Sequence, residues 1–232
     1  MIYFYHPDIT KGLLELPEEE HQHCSKVLRK VAGDEIGVYD GIGGDYTVRL
    51  TEVSKKSSRF EIIEKRQLSR KQFYNHIAIA PTKNTDRIEW FVEKACELGV
   101  DEISFILTKN CERNKMRIDS LEKKAVSALK QSKSGYLTQI NELTRFSDFL
   151  KNASADAKHI AVVEPSLPYY SALLSKGQSV ITLIGPEGDF SEDERKAAEN
   201  AGFQKISLGS STLRTETAGL MAGHFVNMIN EY

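Results

Sequence analysis

Apolar residues follow two different rhythms along the chain, and the change comes near Lys71. Before it, short runs rich in Val, Ile, Tyr and Thr at 35–40, 45–53 and 58–63 predict β-strands, with Gly41-Ile42-Gly43-Gly44 as a turn between two of them. Pro17-Glu18-Glu19-Glu20 predicts a helix start, proline and acids in the first turn; that helix would carry His23, Val27 and Leu28 and end near Gly33. Strands this short and this closely spaced predict a small barrel or sandwich. Beyond Lys71 the apolar runs at 76–80, 103–107, 160–163, 180–184 and 206–208 read as strands. Between and after them, helical spacing appears at 86–98, at 118–133 and in a last helix at 216–229. Ser191-Glu192-Asp193-Glu194 has the form of a capped helix start, with Gly202 as the stop. Strands alternating with helices imply an α/β fold, a mostly parallel sheet covered on both faces. The expected domains are therefore 1–71, mostly β, and 72–232, α/β.

Two loops in the second region stand out. One is Leu183-Ile184-Gly185-Pro186-Glu187-Gly188-Asp189-Phe190, the other Ser207 to Ala218, which includes Leu213-Arg214-Thr215-Glu216-Thr217. Each begins where an apolar run stops and leads into a helical pattern. Ligands of open α/β sheets settle beyond the carboxyl ends of strands. Glycines let backbone approach a ligand closely, so that backbone amides can read it. Either loop alone could be a plain turn, and Arg214 with Glu216 a helix-start charge pair; both in order before the last helix point to a binding site.

Composition narrows the class. With 232 residues, 40% apolar and 28% charged, the chain is long enough for a real core and ordinary for a globular protein. A formal net charge of −2 argues against bulk capture of nucleic acid but leaves room for local basic patches. Two such runs exist, Lys55 to Lys71 and Lys109 to Lys133. Each alone fits a solvated face, whereas two flanking one cleft would track phosphates. No apolar run approaches the roughly 20 residues of a membrane helix, and the start lacks the pattern of a signal peptide. Cys24, Cys96 and Cys111 give no disulfide framework and fit a reducing cytoplasm, with Cys96 on an apolar helix face. His21, His23 and Cys24 lack a second ligand pair at zinc spacing, so they read as helix surface. There is no nucleophile elbow, P-loop lysine motif or dinucleotide fingerprint.

The chain resembles the RsmE family, the uridine N3-methyltransferases of small-subunit ribosomal RNA in the SPOUT superfamily. The likeness covers nearly the whole sequence. It is carried by His23-x-x-Lys26-Val27-Leu28-Arg29, Gly33-Asp34 and Asp40-Gly41-x-Gly43, then by Glu93 to Val100, Cys111-Glu112-Arg113 and Gln131-Ser132. Its most specific parts are Ile184-Gly185-Pro186-Glu187-Gly188, Leu208-Gly209 and Leu213 to Ala218. Asp189 departs from a third glycine and places a carboxylate beside the expected cofactor loop; Ser134 stands where an arginine usually follows the Gln-Ser pair.

The resemblance implies a PUA-like RNA-binding barrel followed by a domain whose C-terminal part threads a trefoil knot, a rare exception to the usual rules of chain connection. It implies S-adenosylmethionine as cofactor, held by Leu183, Ile184, Gly185, Pro186, Glu187, Gly188, Leu208, Gly209, Leu213, Thr215, Thr217 and Ala218. Arg214 and Glu216 become the candidate catalytic residues. Lys26, Arg29, Lys83, Arg87, Arg113, Lys130, Gln131 and Lys133 become the candidate RNA contacts. The implied partner is 16S ribosomal RNA in the small ribosomal subunit, the compartment the cytoplasm, and no metal is needed. The competing readings are an RNA-binding ribosome-assembly module that has lost catalysis, for which Asp189 is the best argument, and an α/β hydrolase, which lacks a nucleophile motif. The resemblance also implies a homodimer through the C-terminal helix, the competing reading being that this helix is buried on all sides within its own domain. Leu220, Met221, Phe225, Val226 and Met228 fall on more than one face of that helix, and Gly219, Ala222 and Gly223 leave room for another helix.

Overall fold

The first rhythm becomes a four-stranded sheet and the second a six-stranded one. A computed structural model describes residues 1–231. The chain divides into two compact units: Met1–Arg70 with Leu129–Leu137, and Lys71–Ala128 with the chain from Thr138 onward.

The first unit contains β1 (Tyr3–Tyr5), α1 (Glu18–Gln22), β2 (Glu35–Tyr39), β3 (Gly44–Val53) and β4 (Ser58–Gln67). The sheet runs β1-β2-β3-β4, parallel at β1–β2 and antiparallel elsewhere. Alternate residues Val48, Leu50 and Tyr46 of β3 enter a core with Phe4, Ile36 and Phe60. The turn before β3 is built by Asp40, whose carboxylate accepts from the backbone N–H of Ile42 (2.9 Å) and Gly44 (2.8 Å). Gly43 has a φ of 96°, and a Cβ there would lie 2.3 Å from the Tyr136 hydroxyl oxygen, so conformation and space both require glycine.

The helix expected to reach Gly33 is much shorter. After Gln22 the residues His23–Val27 form a π turn, in which the Leu28 N–H bonds the His23 carbonyl at 3.0 Å. The Ser25 hydroxyl donates to the His21 carbonyl at 2.9 Å, the kind of local bond that competes with helix continuation. Arg29 then takes a φ of 51° and turns the chain away.

The second unit contains β5 (Tyr74–Ile79), α2 (Thr85–Glu97), β6 (Glu102–Leu107), α3 (Ile118–Ser132), whose last residues count with the first unit, β7 (Gln139–Arg145) and α4 (Phe146–Asn152). It continues with β8 (Ala157–Ala161), β9 (Ser179–Ile184), α5 (Glu192–Asn200), β10 (Gln204–Ile206) and α6 (Thr215–Glu231). The sheet order is β10-β8-β9-β5-β6-β7, and every pairing is parallel. Ala78 belongs to a core with Phe146, Leu150 and Ala198 from α4 and α5. Its neighbours Ile77 and Ile79 meet α6 on the opposite face. Helices thus cover both faces, as the alternation of strands and helices requires.

α6 docks through its glycines. A Cβ at Gly219 would come within 2.7 Å of the Phe91 ring and 2.9 Å of Ile79, and one at Gly223 within 2.9 Å of Val100. These small residues, expected to admit a second helix, are occupied by α2 and β5 of the same unit. Asn75, fully buried, donates to the Gly223 carbonyl at 2.8 Å and to the Asn227 side chain at 2.9 Å, while Asn227 donates to the Leu98 carbonyl.

Candidate functional site

Three loops leave the carboxyl ends of β8, β9 and β10 and enclose a cleft of about 800 Å³. That is the size of a small-molecule site, at the end of the sheet where such sites form. The loop after β9 supplies Gly185, Pro186, Glu187 and Asp189; the loop after β10 supplies Ser207 to Thr215; the loop after β8 supplies Val162 to Leu167 and Tyr169.

The loop after β10 presents mostly backbone. Among the described residues, the N–H groups of Leu208 and of Ser210 through Arg214 donate no hydrogen bond within the protein. Ser207 ties the loop's start locally, its hydroxyl accepting from the Gly209 N–H at 3.2 Å. Gly209 has a φ of 139° with nothing within 4 Å of an added Cβ, so backbone conformation alone selects glycine there. The loop runs into α6, where the Thr215 hydroxyl donates to the Gly185 carbonyl at 3.0 Å and fastens this loop to the one after β9.

The loop after β9 is held from outside. The Asn110 amide donates to the carbonyls of Gly188 (3.0 Å) and Asp189 (2.9 Å). Ser191 and Glu194 form the expected capping box at the start of α5. Asp189 and Ser166, both lining the cleft, have φ values of 57° and 63°, a strain that side-chain-bearing residues keep only where surroundings enforce it. The expected carboxylate of Asp189 is present and is engaged. One oxygen accepts from the Phe190 N–H at 2.7 Å and the other from Arg195 at 2.8 Å.

Of the residues expected to hold cofactor, Ile184, Gly185, Pro186, Glu187, Leu208, Gly209, Leu213, Thr215 and Ala218 line the cleft. Leu183 is sealed in the core beside Ala78, and Gly188 and Thr217 are not among the lining residues. Arg214 lines the cleft, exposed, with no side-chain partner among the described residues. Glu216 does not; it is buried in the first turn of α6 and pairs with Arg87 at 3.7 Å. The loop after β8 was not foreseen, nor was Asn110. The signal for that loop was an apolar run ending at Val163 and followed by Pro165 and Pro168, the same strand-then-turn grammar without glycine.

The basic candidates differ in how free they are. Lys26, Arg29, Gln131 and Lys133 are exposed, and Lys133, with a φ of 57°, sits 5.9 Å over the Tyr3 ring. Lys130 pairs with Glu20 at 2.6 Å and Lys83 with Glu112 at 2.8 Å. Arg113 spends its guanidinium on the carbonyls of Thr82 (3.2 Å) and Lys83 (2.8 Å), supporting the chain beside Glu187 rather than projecting outward. His21 bonds Ser58 at 2.8 Å, and no cluster of three or more metal-ligating side chains occurs among the described residues. Nor is any described helix long and apolar enough to cross a membrane.

Comparison with known proteins bears on this geometry. Residues 69–227 match the family model of an RNA methyltransferase domain, and residues 16–63 that of an RNA methyltransferase PUA domain. The fold is similar to the crystal structure of a probable rRNA-methyltransferase from Porphyromonas gingivalis, with a TM-score of 0.92 and 37% identity over 100% of this chain and 99% of that one. It is also similar to ribosomal RNA small subunit methyltransferase E from Neisseria gonorrhoeae, solved bound to S-adenosyl methionine, with a TM-score of 0.88 and 25% identity over 99% and 98% of the two chains. A ribosomal RNA small subunit methyltransferase E of Rickettsia conorii is 27% identical over 224 residues, 94% of this chain and 91% of that protein. With the domain model spanning most of its length and whole-chain relatives on either side of that match, this chain belongs to the RsmE family of RNA methyltransferases.

Proposed function

We propose that the protein transfers a methyl group from S-adenosylmethionine to N3 of a uridine in 16S ribosomal RNA, acting in the cytoplasm on the small ribosomal subunit. The observation that carries this reading is the loop after β10, where a run of backbone N–H groups, unpaired among the described residues, ends at Arg214, likewise without a partner among them, inside a three-walled cleft. Free N–H groups suit the acceptor atoms of an adenosine and a carboxylate, and Ile184, Val163, Leu208 and Leu213 give the same cleft apolar wall. The cleft therefore fits the cofactor named in the Neisseria gonorrhoeae structure.

When bound, S-adenosylmethionine supplies an electrophilic methyl group that already carries its own leaving group. What remains for the protein is alignment and charge. Thr215 contributes alignment by joining two of the cleft's loops at Gly185. Arg214 contributes charge: its fork of donors suits a phosphate that positions the RNA, or the uridinate that forms as N3 loses its proton. N3 lies on the base-pairing edge, so the target base must be unpaired or extruded. Glu216 acts at one remove, holding Arg87 beside the start of α6.

The remaining parts of the reading follow from the family. The first domain holds RNA, the C-terminal part of the second threads a knot, and two copies pair through α6. The pairing face is the half-buried stripe Leu220, Met221, Phe225 and Met228, since Gly219 and Gly223 are taken up internally.

Calorimetry with S-adenosylmethionine, followed by methyl transfer to small subunits, tests the function. Reverse transcription of the product should stop at one uridine, because an N3 methyl group blocks pairing. Binding without transfer to any ribosomal particle would reject the activity, and equal methylation of a short uridine oligomer would reject the particle as substrate.

A further inference from the structure

At the start of α5, Arg195 uses its whole guanidinium on two different loops of the cleft. Nη1 donates to Glu164 at 2.7 Å, in the loop after β8. Nη2 donates to Asp189 at 2.8 Å, and Nε to the Phe190 carbonyl at 3.1 Å, both in the loop after β9. Glu164 and Asp189 both line the cleft. We propose that Arg195 is a positioning residue that straps these two walls together and so sets how long the cofactor stays bound. This inference rests on the cofactor reading above.

Three features make the strap more than a surface ion pair. First, its members are largely shielded, with side-chain exposures of 23% for Arg195 and 30% for each carboxylate, so solvent screens them less than an open pair. Second, both oxygens of Asp189 are committed, to Arg195 and to the Phe190 N–H, so the carboxylate is fixed against the wall. Third, the loop after β8 is tied by backbone to Ser207, whose N–H donates to the Pro168 carbonyl at 3.0 Å and whose carbonyl accepts from the Tyr170 N–H at 2.9 Å, and neither bond reaches the loop after β9. Beside the apolar packing of Val162 and Leu167 in the cluster that holds Phe190, its polar link to the loop after β9 among the described residues runs through Glu164 and Arg195. Lys205 also contacts Glu164 at 3.4 Å, but it lies on β10 and joins neither Asp189 nor Phe190. A planar fork is needed to reach all three acceptors at once, which a lysine ammonium cannot do.

Dissociation of S-adenosylmethionine from the full chain, followed by stopped flow with affinity from calorimetry, tests the strap. Arg195→Ala should release the ligand about tenfold faster, with association changed less than about twofold. Arg195→Lys should fall between Ala and wild type. Glu164→Gln, which leaves the Asp189 and Phe190 contacts in place, should release about threefold faster, and it carries the test if Arg195→Ala folds poorly. The double variant should release no faster than Arg195→Ala alone, because both changes cut one link. Unchanged dissociation in Glu164→Gln and Arg195→Lys, or additive effects in the double variant, overturns the strap. Failure of wild type to bind the ligand overturns the cofactor reading instead, and the strap with it.

Discussion

Two side chains carry opposite lessons about charge. Arg214 is exposed in the cleft without a side-chain partner among the described residues, and its removal should be felt only when charge develops. Arg214→Ala should therefore slow methyl transfer by about a hundredfold, roughly 3 kcal/mol, while calorimetric affinity for S-adenosylmethionine stays near wild type. An equal loss in both quantities would make Arg214 a cofactor ligand. His159 is the reverse case. It lies buried in β8 with neither ring nitrogen bonded, edge-on to Tyr170 at 5.1 Å, and burial drops it from the ordinary 6.5 to about 4. The folded protein holds it neutral where the unfolded chain would protonate it. Between about 6.5 and about 4 the unfolded state binds more protons, so stability falls as pH falls through that window. Burial lowers His6 and His76 as well. His159→Leu should lose less stability than wild type over the same acid titration, read from denaturant midpoints, and a parallel loss would show that His159 does not contribute.

The elements show where sequence pattern succeeds. Gly219 packs against Phe91 and Ile79 with no room for a methyl group, so Gly219→Ala should cost about 1–3 kcal/mol of stability despite its better helix propensity. A thermal midpoint equal to wild type would contradict that packing. The strands β5, β6 and β9 were legible because each holds an apolar run buried on both faces of a parallel sheet, whereas β8, Ala157–Ala161, starts earlier than the expected run at 160–163 because Lys158 and His159 hide its first half. β7, Gln139–Arg145, was not, because it is an edge strand reading Gln-Ile-Asn-Glu-Leu-Thr-Arg, with none of its residues fully buried. The far half of β4 was hidden for the same reason, as its residues beyond Phe60 are exposed. The β9 and β10 loops were legible through glycine and an isolated arginine. The third wall was not, because Val163 to Tyr169 acquires its role only through sheet order, which places β8 between β9 and β10. Nor could spacing reveal that Asp189 and Arg195 meet, or that Arg113 turns inward onto the chain at Thr82 and Lys83.

For the whole molecule, the proposed pairing makes a direct claim. Light scattering at micromolar concentration should give twice the chain mass, and Met221→Glu on the half-buried stripe of α6 should halve it while leaving the internal docking of Gly219 and Gly223 intact. A monomeric wild type would end that part of the proposal. Another property belongs to the chain as a whole, and it concerns time. The bonds from Asn75 to Gly223 and Asn227 join positions 148 and 152 residues apart, and α6 is the helix whose first residue, Thr215, fastens the end of the loop after β10 to the loop after β9. Contacts so distant in sequence form slowly, since loop closure precedes any reward. The cleft should therefore be among the last parts to mature, with the strands around β5 and β6 protected from hydrogen exchange well before Thr215 and its neighbours. Ligand present during refolding would then leave the early rate unchanged and raise only the final yield, because it can recognise nothing until the carboxyl end has come home.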